Sequence, residues 1–255
     1  MNPAPLIIIL PVYNEWANIT NTLDEIEAKV NPPHLNLIVY DFDEDNTLPS
    51  VAKFISDKKA NNIKLLKNSY GRGVLNAIKT GFQSAGKDDI VLVAMADLSD
   101  NLDAVNGMYE KIQQGYDIVC GSRYMKGGRH IGGPRLKKLF SRMAGVTLHL
   151  LTGIPTRDIS NSFKMYRSSI IKSINIESRG GFEIGMEIVV KSYLKGYKIT
   201  EVPSVWRDRV AGKSRFKLVK WAPEYLRWYF YALRGVIKKP FSKSGSSPGA
   251  SVHNS

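Results

Sequence analysis

The sequence predicts an α/β fold built on a doubly wound, mostly parallel sheet. Two observations point there. Short apolar or β-branched runs alternate with stretches of helical spacing, and several of those runs stop abruptly at polar or acidic residues. In such sheets ligands sit beyond the carboxyl ends of the strands, so the residues after each run are the ones to examine for chemistry.

The elements follow in order. Pro5–Tyr13 is an apolar run that reads as a buried strand. Asn14–Val30 has helical spacing at Ile19, Leu23 and Ile26, and Pro32 and Pro33 break it. Leu35–Tyr40 is a second strand, closed by the acidic loop Asp41–Asp45. Pro49–Ala60 reads as a helix, Ile63–Leu66 as a third strand, and Val74–Ala85 as a helix entered through Gly71-Arg72-Gly73. Ile90–Ala96 is a fully apolar fourth strand that ends at Asp97. Beyond Asp100 the pattern changes. Asp117–Gly121 is a strand and Arg135–Thr152 an amphipathic basic helix. Ser162–Tyr166 and Lys198–Val205 are strands flanking a helix near Phe182–Gly196, and Pro223–Lys238 is an aromatic-rich helix. After Pro240 the chain turns to Ser, Gly, Pro and Asn, with nothing to bury, and is expected to be disordered. The organisation expected is a main domain over 1–220, a helix over 221–239 and a tail over 240–255.

Bulk properties narrow the partners. The 255 residues carry 36 Lys and Arg against 23 Asp and Glu, a net charge of +13, which suits an anionic partner: a membrane surface, a phosphorylated substrate or nucleic acid. Cys120 is the only cysteine, so no internal disulfide forms, in keeping with a reducing compartment. The opening residues lack a basic region, and Leu6–Leu10 is too short for a signal-peptide core. No window is apolar enough to span a bilayer, so membrane contact is expected to be peripheral. Nucleic acid ranks last, because the acidic loops would repel its backbone and no recognition motif appears.

Two strand-end motifs carry the candidate chemistry. The loop Tyr40-Asp41-Phe42-Asp43-Glu44-Asp45 places four acids within five residues, which a packed core is not expected to tolerate. Asp41 is placed to accept hydrogen bonds from a base or a ribose hydroxyl, against the alternative of a solvated turn. In Met95-Ala96-Asp97-Leu98-Ser99-Asp100, Asp97 with Ser99 or Asp100 offers hard oxygen ligands for a divalent cation. The alternative for Asp100 is a cap on the next helix. The four histidines, His34, His130, His149 and His253, lack metal-ligand spacing and read as ordinary residues. Ser160 and Ser162 lack a partnered His, which disfavours a hydrolase triad.

These motifs support a resemblance. Pro11-Val12-Tyr13-Asn14-Glu15, Val39–Thr47, Gly71-Arg72-Gly73 and Ala96-Asp97-Leu98-Ser99 resemble, in order, the nucleotide-binding and metal motifs of family 2 glycosyltransferases. Gly121-Ser122-Arg123-Tyr124, Gly127-Gly128, Lys137–Ala144, Asp158–Tyr166 and Phe182–Phe216 resemble the dolichol-phosphate mannosyltransferase branch, whose members act on polyprenyl phosphate. The resemblance covers most of residues 5–220. It implies a GT-A fold, Rossmann-like, with a mostly parallel sheet flanked by helices. It implies a GDP- or UDP-linked sugar donor bound by Pro11, Tyr13, Glu15, Asp41, Arg72 and Asp97. It implies Mg²⁺ or Mn²⁺ held by Asp97, Ser99 and Asp100. For the acceptor phosphate it implies Arg123, Lys137, Ser141 and Arg209, with Asp97, Arg123 and Arg209 as the catalytic set. Two positions depart from the family pattern. Met95 stands where the metal motif has its first Asp, and a soft neutral thioether is a poor Mg²⁺ ligand. The loop Tyr40-Asp41-Phe42-Asp43 stands where two adjacent acids and a Gly are common.

Inverting transfer to a polyprenyl phosphate is the leading reading, at the cytoplasmic face of a membrane. Trp221 and the helix from Pro223, with Arg227, Arg234 and Lys238 in one stripe, would lie in the headgroup region. A separate membrane-spanning partner would then supply any anchor. Other readings stay open: a family 2 transferase acting on a hydroxyl, which needs a carboxylate base such as Asp158 or Glu187, and a nucleotide-binding relative without catalysis, suggested by Met95.

Overall fold

A computed structural model describes residues 5–208 and 218–238. Arg209, Ser214 and the tail 240–255 lie outside the described residues.

The elements run β1 (Leu6–Pro11), α1 (Ile19–Lys29), β2 (His34–Tyr40), α2 (Thr47–Lys58), β3 (Ile63–Lys67), α3 (Val74–Ser84), β4 (Ile90–Val93), α4 (Ala104–Gln113), β5 (Ile118–Ser122), β6 (Arg129–Ile131), α5 (Arg135–Thr152), β7 (Lys164–Arg167), α6 (Ser168–Ser173), α7 (Ile184–Leu194), β8 (Ile199–Pro203), β9 (Val205–Arg207) and α8 (Leu218–Lys238). Seven strands form one sheet in the order β3-β2-β1-β4-β7-β5-β8, and β6 and β9 form a small second sheet. β1 lies parallel to β2 and β4, with Leu6 opposite both His34 and Ile90.

Helices cover both faces of the sheet, which is why the central strands read as unbroken apolar runs rather than alternating ones. On β1, Ile7 and Ile9 join a core with Leu75, Ile78 and Phe82 of α3 and Ile188 of α7. Leu6, Ile8 and Leu10 join the opposite core with Leu23 and Ile26 of α1 and Val105 and Met108 of α4.

One strand breaks the parallel pattern and builds the second half of the crevice. β7 runs antiparallel between β4 and β5, pairing Val93 and Cys120 with Lys164. Its leading loop, 153–163, therefore enters the sheet from the side where β4 and β5 end. Residues in that loop share an edge with Asp97 and Arg123 although they precede a strand instead of following one. Gly145 sets how near α5 approaches this loop, since a Cβ there would lie 2.1 Å from the Arg157 carbonyl oxygen.

Several boundaries differ from the sequence reading. β4 stops at Val93, three residues short of the predicted Ala96. α8 begins at Leu218, so Pro223 lies inside it. There its missing N–H removes only one bond near the start of a long helix. Trp221 is accordingly a helical residue that packs over Gly180, where a Cβ would lie 2.8 Å from its ring. Pattern reading did not anticipate β6 and α6, which are too short to show a period.

Candidate active site

The carboxyl ends of β1, β2 and β4 form the first half of the site. Asp45 joins two of its loops. Both its oxygens accept from the Asn14 N–H at 3.1 Å, and Oδ1 also accepts from the Thr47 N–H at 2.8 Å and its hydroxyl at 2.5 Å. Asp45 is buried, contrary to the expectation that the core would tolerate none of this loop's acids. Backbone donors satisfy its charge. Asn14, held this way, has a φ of 55° in the left-handed region, which Asn tolerates better than most residues.

Asp41 reaches across to the glycine loop. Its Oδ2 accepts from the Gly73 N–H at 2.9 Å and its Oδ1 from Asn68 Nδ2 at 2.8 Å. A carboxylate has about four acceptor sites, so capacity remains for a ligand donor. Beside it, Tyr13 meets Phe42 edge to face with centroids 5.4 Å apart, and the Arg72 guanidinium lies 5.1 Å from the Phe42 centroid. Tyr13 and Arg72 are exposed at this mouth, Glu15 is half-buried, and Pro11 closes β1 beneath them. The six expected donor residues thus fall on one strand-end edge, and Phe42 joins them.

Beyond β4 the chain makes a tight turn. Leu98 has a φ of 61°, a conformation costly for a branched side chain. Asp97 and Ser99 are buried there, and Asp97 Oδ1 accepts from the Ser99 N–H at 3.1 Å. Asp100 Oδ2 accepts from the Met95 N–H at 2.9 Å, so Asp100 ties the turn together. The helix-cap reading of Asp100 fails, since the residue before α4 is Asp103. Burial, with a smaller contribution from Asp97, raises the Asp100 carboxyl pKa to about 7.

The second half of the site centres on Arg123, just past β5. Asp158, fully buried, accepts from Arg123 Nε at 2.6 Å, Nη2 at 2.7 Å and the Arg123 N–H at 2.9 Å. Burial opposes charge on both groups, yet the pairing prevails: the Asp158 pKa is lowered and that of Arg123 raised. Arg123 Nη2 also donates to Ser141 Oγ at 3.1 Å and lies 3.4 Å from Ser160 Oγ. Lys137 stands one turn before Ser141 on α5, as the four-residue spacing predicts. Lys164, wholly buried, donates to the carbonyls of Ile159 and Asn161 and props the loop carrying Asp158 and Ser160. Three of the four expected acceptor residues therefore lie in one region, and Arg209 is outside the described residues.

Sequence reasoning misjudged two acids. Asp158 and Glu187 were candidate bases, but neither is at liberty. Asp158 is committed to Arg123. Glu187, fully buried on α7, accepts from the N–H groups of Glu177 at 2.6 Å and Ser178 at 2.7 Å, and from Lys191 Nζ at 2.7 Å. Both stabilise backbone and cations instead of facing a substrate proton.

Residues 7–174 match the Glycosyl transferase family 2 domain, more than half of the chain. The chain belongs to glycosyl transferase family 2. This family 2 chain is 29% identical to a dolichol-phosphate mannosyltransferase of Pyrococcus furiosus over 230 residues, which cover 89% of it and 63% of that relative. It therefore spans less than two thirds of that relative's length. It is 23% identical to a polyprenol monophosphomannose synthase of Mycolicibacterium smegmatis, over 91% of each chain. Among solved structures it resembles a glucosyl-3-phosphoglycerate synthase of Mycobacterium tuberculosis, crystallised with Mn²⁺, UDP and glucosyl-3-phosphoglycerate. The TM-score is 0.66 at 14% identity, covering 94% of this chain and 82% of that one. That likeness speaks to the fold, which is of the GT-A type.

The family implies a divalent cation, and the residues present fit one of limited protein ligation. Among the described residues no group of three His, Cys, Asp or Glu converges to hold a metal. Asp97 and Asp100 nevertheless bring two carboxylates to one strand end, close enough that Asp97 disfavours charge on Asp100. Hard cations often take only one or two carboxylates and complete their shell with phosphate oxygens and water. Met95 adds no oxygen to this set and packs against the core.

Proposed function

We propose that the chain transfers a sugar, with inversion, from a GDP- or UDP-linked donor to a polyprenyl phosphate. One observation carries the choice of acceptor: the two carboxylates that the sequence offered as general bases, Asp158 and Glu187, are both engaged. A hydroxyl acceptor needs a base to take its proton, whereas a phosphate is already anionic at neutral pH. The P. furiosus and M. smegmatis relatives, named for dolichol-phosphate mannose and polyprenol monophosphomannose, support the same acceptor class.

The residues divide the work. Tyr13, Phe42 and Arg72 offer aromatic and cationic surface to the nucleotide, and Asp41 offers acceptor capacity to its base or ribose. Asp97, with Ser99 and Asp100, would hold Mg²⁺ or Mn²⁺, which would offset charge growing on the leaving diphosphate. Arg123, Lys137 and Ser141 receive the acceptor phosphate and hold it in line with the anomeric carbon, and Arg209 is proposed to join them. The fork of Arg123 is fixed by Asp158, so it donates without having to reorganise. That pairing also cancels the formal charge of Arg123. Net attraction for the anion therefore falls to other cations of the chain.

The same reading places the chain peripherally at a membrane's cytoplasmic face. Among the described residues no helix is long and apolar enough to cross a bilayer. α5 exposes Leu136, Leu139, Phe140, Met143, Leu150 and Leu151, beside Arg135, Lys138 and Arg142. α8 buries Trp228 and Ala232 in the core and exposes Leu226, Phe230 and Ile237. Tyr229 Oη donates to Thr147 Oγ1 at 2.9 Å and ties the two helices together. Packing and exposure thus coexist on α8, and α5 supplies a second apolar face with basic neighbours. A separate spanning partner would supply any anchor. A panel of radiolabelled nucleotide sugars, offered with short-chain polyprenyl phosphate and with hydroxyl acceptors, tests the reading; transfer to the hydroxyls alone would refute it.

A further inference from the structure

Arg123 stands at one end of a hydrogen-bonded chain whose other end is a histidine. Ser141 Oγ and Ser160 Oγ are 2.6 Å apart. The Tyr124 phenol oxygen is 3.0 Å from Ser141 Oγ, 3.2 Å from His130 Nδ1 and 3.4 Å from the Lys138 carbonyl oxygen. The Arg123 guanidinium lies 5.1 Å from the centre of the Tyr124 ring, and the His130 ring meets Trp206 edge to face at 4.6 Å. The chain thus runs from β6 to the loop before β7 through half-buried side chains.

Each hydroxyl has one proton to give, so the chain has two directions. If His130 Nδ1 is bare, the phenol can turn to it, with Ser141 turning to donate to the phenol and Ser160 to Ser141, and every hydroxyl proton is consumed within the protein; the structure holds the other arrangement, in which the phenol donates to Ser141. If Nδ1 carries a proton, the ring donates to the phenol, the phenol to Ser141 and Ser141 to Ser160. The Ser160 proton is then left over, because its remaining described neighbour, Arg123 Nη2, is itself a donor. Burial, followed by Arg123 and Lys138, lowers the His130 pKa to about 4, so near neutrality the ring carries one proton and only its tautomer varies.

We propose that Ser160 donates a hydrogen bond to the acceptor phosphate, its proton released by a relay from the Nδ1–H tautomer of His130 through Tyr124 and Ser141. An anion selects this direction because it accepts the one proton the other direction would bury. The three hydroxyls keep their protons and turn together, while the neutral His130 ring gives up the proton on Nε2 to solvent and takes one from solvent at Nδ1. Tyr124 and His130 are positioning residues. This inference rests on the phosphate-acceptor reading and adds a donor to its site.

The test has a kinetic and a spectroscopic arm. Ser160→Ala is expected to raise the KM for short-chain polyprenyl phosphate about tenfold, as loss of a hydrogen bond to a charged group does. Nucleotide affinity should not change, and Ser160→Thr should restore the KM. An unchanged KM in Ser160→Ala overturns the assignment. In the full chain labelled with ¹⁵N-histidine, titration with inorganic phosphate is expected to drive His130 to the Nδ1–H tautomer. An Nε2–H tautomer at saturation, or no response, overturns the relay. If the wild-type chain transfers nothing to polyprenyl phosphate, the functional reading fails, while the tautomer still decides the relay.

Discussion

Replacing Asp158 with Asn removes one charge from a pair that the protein has taken out of water. Asp158 is fully buried and accepts three hydrogen bonds from Arg123, two through Oδ2 and one through Oδ1. Asparagine keeps one of those oxygens and turns an NH₂ group toward a guanidinium or backbone donor. Breaking a buried pair in this way costs about 3–5 kcal/mol. At about 2–4 °C per kcal/mol for a chain near this size, the melting temperature should fall by about 10 °C. The pairing lowers the Asp158 pKa, so its contribution is complete above the unfolded carboxylate range and is lost only as pH drops through the lower folded value. Urea unfolding gives the stability, calorimetry with a nucleoside diphosphate gives donor affinity, and a product assay gives transfer. Transfer should fall well beyond any change in donor affinity, because Arg123 loses its fixed orientation. A stability loss below about 1 kcal/mol would refute the argument, since a pair that cheap to break is not desolvated. The same logic makes Arg123→Ala a stability mutant as well as a site mutant, so Arg123→Lys is the cleaner probe of the fork.

Other expectations follow from the same geometry. Asp97→Asn should leave the fold intact and abolish divalent-dependent transfer; full activity in that variant, or in excess chelator, would remove the metal assignment. Gly145→Ala puts a methyl group against the Arg157 carbonyl, should cost about 1–3 kcal/mol, and should weaken acceptor use by moving Ser141 on α5 away from Arg123. Unaltered thermal stability in Gly145→Ala would show that the helix yields without strain. Between pH of about 6.5 and 4, the folded chain keeps His130 neutral while the unfolded chain protonates it, so stability should decline as pH falls through that window. Discounted for partial exposure the effect is on the order of 1 kcal/mol, and urea titrations of wild type and His130→Gln at several pH values would reveal it as a difference in slope.

Much of the first half of the chain was legible because periodicity and topology agree there. β1, β2 and β4 are buried on both faces and so read as continuous apolar runs, and the acids that follow them fall where a parallel sheet places its ligands. The second half was harder. β7 enters the sheet antiparallel, so Asp158 and Ser160 reach the site from before a strand, a position the strand-end rule does not examine. Asp158 looked like a base because sequence reveals a carboxylate but not its partner, which lies 35 residues away. His130 looked ordinary for the same reason, since its neighbours Tyr124 and Trp206 come from separate parts of the chain. Asp45 could have been found from the Asp-x-Thr spacing, which lets a carboxylate cap its own turn through Thr47. Trp221 was misplaced because Pro223 resembles a helix start, and only packing against Gly180 shows the helix extending before it.

The identity of the acceptor decides the function. Purified chain, Mg²⁺ or Mn²⁺, a radiolabelled GDP- or UDP-sugar and short-chain polyprenyl phosphate should yield a labelled lipid phosphodiester with inverted anomeric configuration. The parallel reaction with the corresponding polyprenol, which offers only a hydroxyl, should yield none. Equal transfer to the alcohol would contradict the account, because neither Asp158 nor Glu187 is free to take its proton.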